Sequence, residues 1–233
     1  EIAYDHIPKQ FLISPAASKV VALSLKTGLQ KVAYIEGAGD NIPQSLTPLG
    51  IEVEMLKANN ITLEKLNPFD AVIVGIRAFN VEEALAYKNK ILWKYVDAGG
   101  NLLIQYNTSR GLKTTELTPL KLNLSRDRVS NEKAEVQIIN PKHPILNHPN
   151  KITSQDFEGW VQERGLYFPN QWDAQFTPLL QMNDAGESPK KGSLLVAPYG
   201  KGRIVYTGLS FFRQLPAGVP GAYRLFFNLI AKP

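Results

Sequence analysis

Four short apolar runs, separated by segments with helical spacing, fill the chain between residues 31 and 106. The run at 69–75 is continuous, as in a strand buried on both faces of a sheet, and the run at 51–56 alternates apolar residues with acids. The resulting βαβαβαβ order favours a parallel sheet with right-handed crossovers, whose loops cluster at the carboxyl ends of the strands. The predicted strands cover residues 31–35, 51–56, 69–75 and 101–106.

The best-marked helix is predicted from about Val81 to Asp97. Apolar residues recur there at helical spacing, Asn80 is expected to cap the first turn together with Glu83, and Gly99-Gly100 ends the helix. One short helix is predicted on either side of the second strand. These helices would cover the sheet and connect its parallel strands.

Regular periodicity decays between residues 109 and 181, where prolines interrupt the chain and one strand is predicted, at Ala134–Ile139. We interpret this stretch as an insertion across the sheet and not as a separate domain. Regular structure returns in a hairpin around Tyr199–Gly202 and in a terminal helix with Pro220 near its first turn. The prediction is one α/β domain at residues 31–233, with an insertion at about 109–181 and a linker or N-terminal extension at 1–30.

The composition is that of a globular chain, because 44% of the 233 residues are hydrophobic and 20% are charged. The net charge is +5, but the basic residues are scattered, so no nucleic-acid partner is expected. No apolar run approaches the ~18 residues of a membrane helix, and residues 1–10 lack a signal-peptide pattern, so no membrane insertion is expected. The start at Glu1 suggests a fragment of a longer protein or, as the less favoured alternative, a processed chain.

The chain contains no cysteine, which excludes disulfides, thiolate metal sites and thiol nucleophiles. Its histidines, His6, His143 and His148, lack the close spacing of a metal-ligand set. We therefore expect no metal site and no cofactor, and any chemistry must use oxygen and nitrogen groups.

Four segments carry a family resemblance: Tyr34–Asp40, Val74–Asn80, Asp156–Pro169 and Gly208–Gly218. In this order they resemble the class I glutamine amidotransferase-like domain at the C-terminus of long bacterial PIG-L (LmbE-like) N-acetylglucosaminyl deacetylase-related proteins. The resemblance covers roughly residues 31 to 231 and implies a three-layer, flavodoxin-like sandwich with a mostly parallel central sheet. It also implies an N-terminal deacetylase-like domain as partner and an extracytoplasmic location. Residues 199–207 are similar to the late hairpin of ThuA-like domains, a branch of this fold linked to sugar metabolism.

Class I amidotransferases use a cysteine, a histidine and a glutamate, and the resemblance allows each position to be checked. The nucleophile would follow the strand at 101–106, where the chain has Asn107, Thr108 and Ser109 without the glycines of a tight elbow. The His-x-Glu pair would follow the last core strand, where the chain reads Ser210-Phe211-Phe212. All three catalytic roles are empty, so no catalytic residue is assigned and an amidotransferase reaction is excluded.

Arg77 is a candidate ligand-binding residue, because it follows a buried strand at the edge where open α/β sheets bind ligands. It also stands where a paired-glycine oxyanion turn would be expected. A salt bridge to Glu82, Glu83 or Asp40 explains it equally well. Further candidates at this edge are Asn107, Ser210 and Arg213. Phe211 and Phe212 could wall the same cleft, and at least one of the two is expected to be a core residue.

Two acids, Glu36 and Asp40, lie in the loop after the first strand, beside Gly37 and Gly39. A Gly-x-Gly loop could cradle a phosphate, but these carboxylates would repel it, so no nucleotide site is predicted. Helix capping by Asp40 or Asn41 is the expected role.

The segment 156–167 has the densest mix of acids, an arginine and aromatic residues in the chain, a composition found in sugar-binding clefts. Asp156 and Glu158 could serve as acid and base in glycoside chemistry if their carboxyl groups lay roughly 5 to 10 Å apart. A structural tie between the insertion and the sheet is the alternative. Arg126-Asp127-Arg128 could clamp an anion or form a solvated network of charges. The segment contains Asp156, Glu158, Trp160, Glu163, Arg164 and Tyr167, and all of these except Glu163 are candidate ligand-binding residues.

Three functional hypotheses follow. The first is a catalytically silent amidotransferase-like accessory domain of a deacetylase-like protein, which binds carbohydrate or packs against its companion domain. The second is a carbohydrate hydrolase that uses Asp156 and Glu158, with Arg77 or Arg164 binding substrate. The third is a scaffold whose sheet edge is closed by its own side chains. An open sheet edge with ligand-binding groups would separate the first two from the third.

Overall fold

A computed structural model describes residues 2–13 and 20–232; Glu1, Pro233 and part of the predicted linker, residues 14–19, lie outside the described ranges. No helix within those ranges is both long and apolar enough to cross a membrane. The strands are β1 (Ile2–Tyr4), β2 (Ile7–Gln10), β3 (Lys31–Ile35), β4 (Glu52–Leu56), β5 (Ala71–Val74), β6 (Asn101–Ile104), β7 (Leu122–Val129), β8 (Val136–Ile138), β9 (Gly165–Trp172), β10 (Thr177–Pro178), β11 (Leu180–Met182), β12 (Leu194–Tyr199) and β13 (Gly202–Thr207). The α-helices are α1 (Ile42–Leu46), α2 (Leu63–Leu66), α3 (Ala78–Val81), α4 (Leu85–Asp97), α5 (Phe211–Gln214) and α6 (Pro220–Ile230), with short 3-10 helices at Thr47–Leu49, Ala58–Asn60, Pro144–Leu146 and Ser154–Phe157.

The central sheet has seven strands in the order β10-β12-β13-β6-β5-β3-β4. Its neighbours β13, β6, β5, β3 and β4 are parallel, and β12 and β10 add an antiparallel edge. The predicted βαβαβαβ order is confirmed, because α1, α2 and α4 lie between successive parallel strands. The predicted hairpin and terminal helix are confirmed as well, with Tyr199 paired to Gly202 at the hairpin turn.

Alternate residues of the parallel strands fill two separate cores. Tyr34 and Leu103 belong to the core with α1 and α6, whereas Val72 and Ile104 belong to the core with α2, α3 and α4. The sheet is therefore the middle of three layers. Burial on both faces explains why its central strands read as continuous apolar runs.

The predicted helix over Val81–Asp97 begins later in the structure, at Leu85 (α4), and the separate short helix α3 ends at Val81. Glu82 lies between them with extended backbone, at φ −92 and ψ 99. Asn80 does not cap the long helix, because its side chain accepts the N–H of Thr108 and donates to the carbonyls of Thr108 and Arg110. A contact with the loop after β6 thus replaces the local capping that the sequence predicts.

The stretch between residues 109 and 181 contains more strand than the single one predicted. β7 and β9 form a two-stranded ribbon, and β8 pairs with β11. Pattern reasoning missed β7 because its residues are mostly polar and bulges interrupt its register with β9. The ribbon lies against the end of β13, where the Leu166 N–H donates to the Gly208 carbonyl at 2.8 Å. Trp160 and Phe168 join the core on the α6 face.

Residues 21–29 pack on this body, although they fall in the predicted linker. Leu23 and Leu25 contact the core, and the Lys26 N–H donates to Asn150 Oδ1 at 2.9 Å. The Arg224 guanidinium donates to the Ser24 carbonyl at 2.8 Å. The packed structure therefore begins before residue 31.

Candidate functional site

The carboxyl ends of β5, β6 and β13 meet at one edge of the sheet, and the β7–β9 ribbon lies against that edge. Five side chains from these elements are neighbours there, and we call them the edge site. Open α/β sheets bind ligands at this position. The edge site comprises Arg77 after β5, Tyr106 after β6, Phe212 and Arg213 after β13, and Tyr167 from β9.

Arg77 is exposed and has a left-handed backbone, with φ 54. Its N–H donates to the Tyr106 carbonyl at 2.8 Å, which fixes the turn between β5 and α3. Within the described ranges its guanidinium has no ion-pair partner. Two predicted partners are engaged elsewhere, since Glu83 pairs with Lys113 at 3.2 Å and Asp40 accepts from Tyr34. Ligand contact by Arg77 stays a prediction.

Three aromatic rings form a layer beside Arg77. The Tyr106 ring lies 6.3 Å from that of Tyr167 at an interplanar angle of 8° and 5.3 Å from that of Phe212. The Arg213 guanidinium lies 4.8 Å from the Phe212 ring centroid, and its Nε donates to Glu163 Oε1 at 2.6 Å. Tyr106 is buried, whereas Tyr167 and Phe212 are half-buried. The outer rings therefore offer an aromatic surface edged by charged groups.

Two further observations describe the electrostatics and strain of this layer. Burial raises the pKa of Tyr106, and the nearby Arg77 charge partly opposes that effect. Tyr167 has φ 51, a left-handed conformation that costs a residue with a side chain about 1 kcal/mol. The surrounding structure thus holds Tyr167 against its intrinsic preference, with its ring on Tyr106.

Asn107, which the family resemblance would place at the nucleophile position, is fully buried. Its Oδ1 accepts the N–H of Phe79 at 3.0 Å, and its Nδ2 donates to the carbonyl of Gln105 at 2.9 Å. Its own N–H donates to the Tyr206 hydroxyl at 3.3 Å. The side chain joins β6 to α3, and both of its polar atoms are engaged within the chain.

Ser210, which the family resemblance would place at the histidine position, is also fully buried. Its hydroxyl donates to the Glu163 carbonyl at 2.7 Å and accepts from Gln214 Nε2 at 3.0 Å. The next residue, Phe211, is a core residue as expected for one of the two phenylalanines, and its ring contacts Trp160 and Phe226. These contacts join the insertion to the turn after β13.

The loop after β3 separates its two acids. Asn41 is the N-cap of α1 and makes no side-chain cap hydrogen bond. Asp40, directly before it, accepts the Ile42 N–H at 3.0 Å and the Tyr34 hydroxyl at 2.6 Å. Gln105 in turn donates to that hydroxyl at 3.0 Å. Burial, with the Asp40 charge next in size, raises the pKa of Tyr34 well above its usual value. Glu36 is exposed at the loop surface.

Asp156 and Glu158 are not brought together. Asp156 is buried, accepts the Thr153 N–H at 2.8 Å in a capping box and pairs with Arg224 Nε at 2.7 Å. Glu158 is exposed and lines a groove of about 370 Å³ with Trp160 and Arg164, to which Asp156 does not contribute. These contacts agree with the alternative in which Asp156 holds the insertion in place and binds no ligand.

Trp160 and Arg164 are buried beside this tie. The indole Nε1 of Trp160 donates to the Asp156 carbonyl at 3.0 Å. Arg164 donates from Nε and Nη2 to the Ala134 carbonyl, at 3.0 and 2.8 Å, and from Nη1 to the Phe157 carbonyl. Burial lowers the pKa of Arg164 to about 10, so it stays charged at neutral pH. Both side chains bind the insertion to itself and to the core.

Tyr106 is the edge-site residue that sequence reasoning missed, although it directly precedes the candidate Asn107 at the end of a predicted strand. Thr108 also lies at this edge, and its hydroxyl donates to the Arg110 carbonyl at 2.8 Å.

Across residues 2–13 and 20–232, no three His, Asp or Glu side chains are grouped so as to hold a metal ion.

Comparisons with known proteins identify the fold. No family model matches the chain, and no curated protein does. Among solved structures, the cytoplasmic protein STM1381 of Salmonella typhimurium LT2 is similar at a TM-score of 0.59 and 15% identity, over 88% of this chain and all of that one. A Thermoplasma acidophilum protein described as one subunit of GMP synthase gives 0.57 and 14%, over 88% and 94%. A ThuA-like protein of Bacteroides uniformis gives 0.52 and 11%, over 91% and 94%. The chain therefore has a class I glutamine amidotransferase-like fold, and the predicted fold class is confirmed.

Proposed function

We propose that this chain is a non-catalytic, amidotransferase-like accessory domain that binds carbohydrate at the edge site. The sequence resemblance places such domains after a PIG-L deacetylase-like domain, so the accessory role would serve that companion. Two parts of the proposal have different support. The first is the loss of amidotransferase chemistry, and the second is the chemistry of the surface that remains.

Internal hydrogen bonds support the first part. A nucleophile and its base must contact each other and the substrate. At the corresponding positions, the Asn107 side chain hydrogen-bonds to Phe79 and Gln105. The Ser210 side chain hydrogen-bonds to Glu163 and Gln214. The protein should release no ammonia from glutamine above a buffer blank.

The aromatic layer is the observation that carries the second part. Half-buried rings present apolar faces on which the C–H face of a sugar ring can pack, and neighbouring charged groups can bind its hydroxyls. Tyr167 and Phe212 supply the faces, and Arg77 and the Arg213–Glu163 pair supply the polar groups. A scaffold does not require an arginine at this edge that, like Arg77, lacks an ion-pair partner among the described residues.

Saccharide titration of the whole chain tests the proposal. Protein NMR shifts would be followed with neutral monosaccharides and with N-acetylglucosamine oligomers. Tyr167→Asn removes the ring and suits the left-handed backbone, because asparagine tolerates φ > 0. We expect it to weaken binding by at least about fivefold, the value of one good ring contact. Tyr87→Asn, which alters an exposed tyrosine of α4, is the control. Absence of binding by every saccharide, or equal binding by Tyr167→Asn, would contradict the proposal.

The hydrolase hypothesis has weaker support from the geometry. Acid and base must both reach one solvent-open cleft. Glu158 lines an open groove, but Asp156 is buried and bound to Arg224 and Thr153. The pair therefore offers no second carboxylate to a substrate in that groove.

A second candidate function is packing against the deacetylase-like companion domain through residues 2–13, in which β1 pairs antiparallel with β2. All residues from Ile2 to Ile13 are exposed, including Tyr4, Phe11 and Leu12. Contiguous exposed apolar surface marks protein contact sites. Replacing Phe11, Leu12 and Ile13 by serine should abolish association with a separately expressed companion domain, measured by calorimetry, and leave saccharide binding unchanged. Unchanged association would contradict this function.

A further inference from the structure

A cavity lies between the β7–β9 ribbon and residues 187–190, and Tyr167 belongs both to its lining and to the edge site. Its volume is about 610 Å³, within the ~300–1,000 Å³ of ligand pockets. We call it the cationic groove. Its lining includes Arg126, Asp127, Arg128, Tyr167, Glu187 and Lys190.

The charges of the groove do not balance. Lys190 forms an ion pair with Glu187. Arg126 and Arg128 are exposed, and in the described part of the chain neither guanidinium has an ion-pair or hydrogen-bond partner. Besides the Lys190–Glu187 pair, the groove therefore holds two guanidinium groups without a partner among the described residues and one carboxylate, that of Asp127. The groove has an excess of positive charge that an anion could neutralise.

The backbone that carries these arginines is fixed by a bulge. The Ser125 hydroxyl donates to the Phe168 carbonyl at 2.7 Å and accepts the Asp127 N–H at 2.9 Å. The register between β7 and β9 shifts at this point. Bulges redirect side chains and are common beside binding sites. The local structure thus holds Arg126 and Arg128 on the ribbon beside Tyr167.

Tyr167 connects the groove to the edge site. It lines the groove and also stacks on Tyr106, 6.3 Å away. A ligand whose ring packs on the aromatic layer could therefore extend a substituent toward Arg126 and Arg128. Guanidinium groups bind carboxylates and phosphates through two parallel hydrogen bonds.

We propose that the ligand is an anionic saccharide, whose carboxylate or phosphate is bound by Arg126 and Arg128 while its ring contacts Tyr167. This inference rests on the proposed carbohydrate function and specifies its ligand class. It assigns the Arg126-Asp127-Arg128 sequence to anion binding and not to a solvated charge network. Binding should weaken as ionic strength rises, because the contact is partly exposed and is screened by salt.

Matched sugars provide the test. The chain would be titrated with glucose, glucuronic acid and glucose 6-phosphate, and with inorganic phosphate alone, at low and at high salt. We expect the anionic sugars to bind about tenfold more tightly than glucose, about 1.4 kcal/mol. The double variant Arg126→Gln/Arg128→Gln should lose this preference and keep its affinity for glucose. Lys90→Gln/Lys94→Gln, which removes two exposed charges from α4, should behave as the unaltered protein.

The outcomes separate this inference from the proposed function. Equal affinity for glucose and both anionic sugars would overturn the inference and leave carbohydrate binding in place. Phosphate alone binding as tightly as glucose 6-phosphate would also overturn it, since the sugar would then contribute nothing. Absence of binding by any sugar would overturn both. If the double variant still bound anionic sugars more tightly than glucose, other residues would bind the anionic group. The assignment of Arg126 and Arg128 would then be wrong.

Discussion

The segment 156–167 and the cationic groove both combine acids, arginine and aromatic residues, but the arginines of the two regions differ in burial. Asp156, Trp160 and Arg164 are buried, and each has its polar groups bound within the chain. Arg126 and Arg128 are exposed and lack partners among the residues described. A dense mix of acids, arginines and aromatics therefore marks a structural tie as readily as a binding surface.

The difference follows from desolvation. A buried charge is costly unless hydrogen bonds replace its hydration, and Arg164 obtains these from the carbonyls of Ala134 and Phe157. An exposed arginine keeps its water until a ligand displaces it. Residues of the first kind should therefore determine stability, and residues of the second kind should determine binding.

The largest expected effect is that of Arg164→Met, which keeps an unbranched apolar stem and removes the guanidinium. Two buried carbonyls would lose their donors, so the free energy of unfolding should fall by about 3 kcal/mol, measured by urea denaturation. Arg126→Met should change it by less than about 0.5 kcal/mol, because the side chain is exposed. Equal losses in the two variants would contradict the distinction between the two regions.

Asp156→Asn should come next, with a loss of about 2 kcal/mol, because it weakens both the ion pair with Arg224 and the capping of Thr153. Glu158→Gln is the matched control and should stay within about 0.5 kcal/mol in the same urea experiment. The hydrolase hypothesis predicts a different result, in which both variants keep their stability and lose glycosidase activity.

Asn107→Ala should reduce the free energy of unfolding by about 1 to 2 kcal/mol, since the Phe79 N–H and the Gln105 carbonyl lose their partner. Ser109→Ala, at a neighbouring position considered for the nucleophile, should have an effect below about 0.5 kcal/mol. Chemical denaturation of both variants measures this. An unchanged stability of Asn107→Ala would show that the side chain is available for a ligand after all.

The smallest effect concerns pH and Tyr34. Its folded pKa is raised by burial, so the folded state holds the phenol proton more tightly than the unfolded state does. This contribution is fully present below the unfolded pKa of about 10 and is lost as pH rises toward the folded value. Tyr34→Phe should therefore lose less stability between about pH 9 and 11 than the unaltered protein does. Tyr87→Phe, at an exposed tyrosine, is the control, and identical pH slopes for Tyr34→Phe and the unaltered protein would contradict the prediction.

Sequence reasoning found the main elements because the signals are local. The continuous runs at β3 and β5, the glycine hairpin and the apolar face of α6 each lie within a few residues. It failed at Asn80 and at β7, where distant contacts decide the conformation. Asn80 bonds to Thr108 and Arg110, and β7 exists through its pairing with β9.

The candidate site shows the same division. Local periodicity was enough to predict the βαβαβαβ succession of parallel strands, and the residue types alone show that the chain has no cysteine. The family resemblance added that Asn107 would stand at the position of the catalytic cysteine and Ser210 at that of the histidine. Tertiary packing was needed to show that Asp156 and Arg164 are structural and that Arg77, Arg126 and Arg128 remain unpaired among the described residues. Whether a charged side chain is available to a ligand depends on its burial and on partners that are distant in the sequence. Neither can be predicted from the residues next to it.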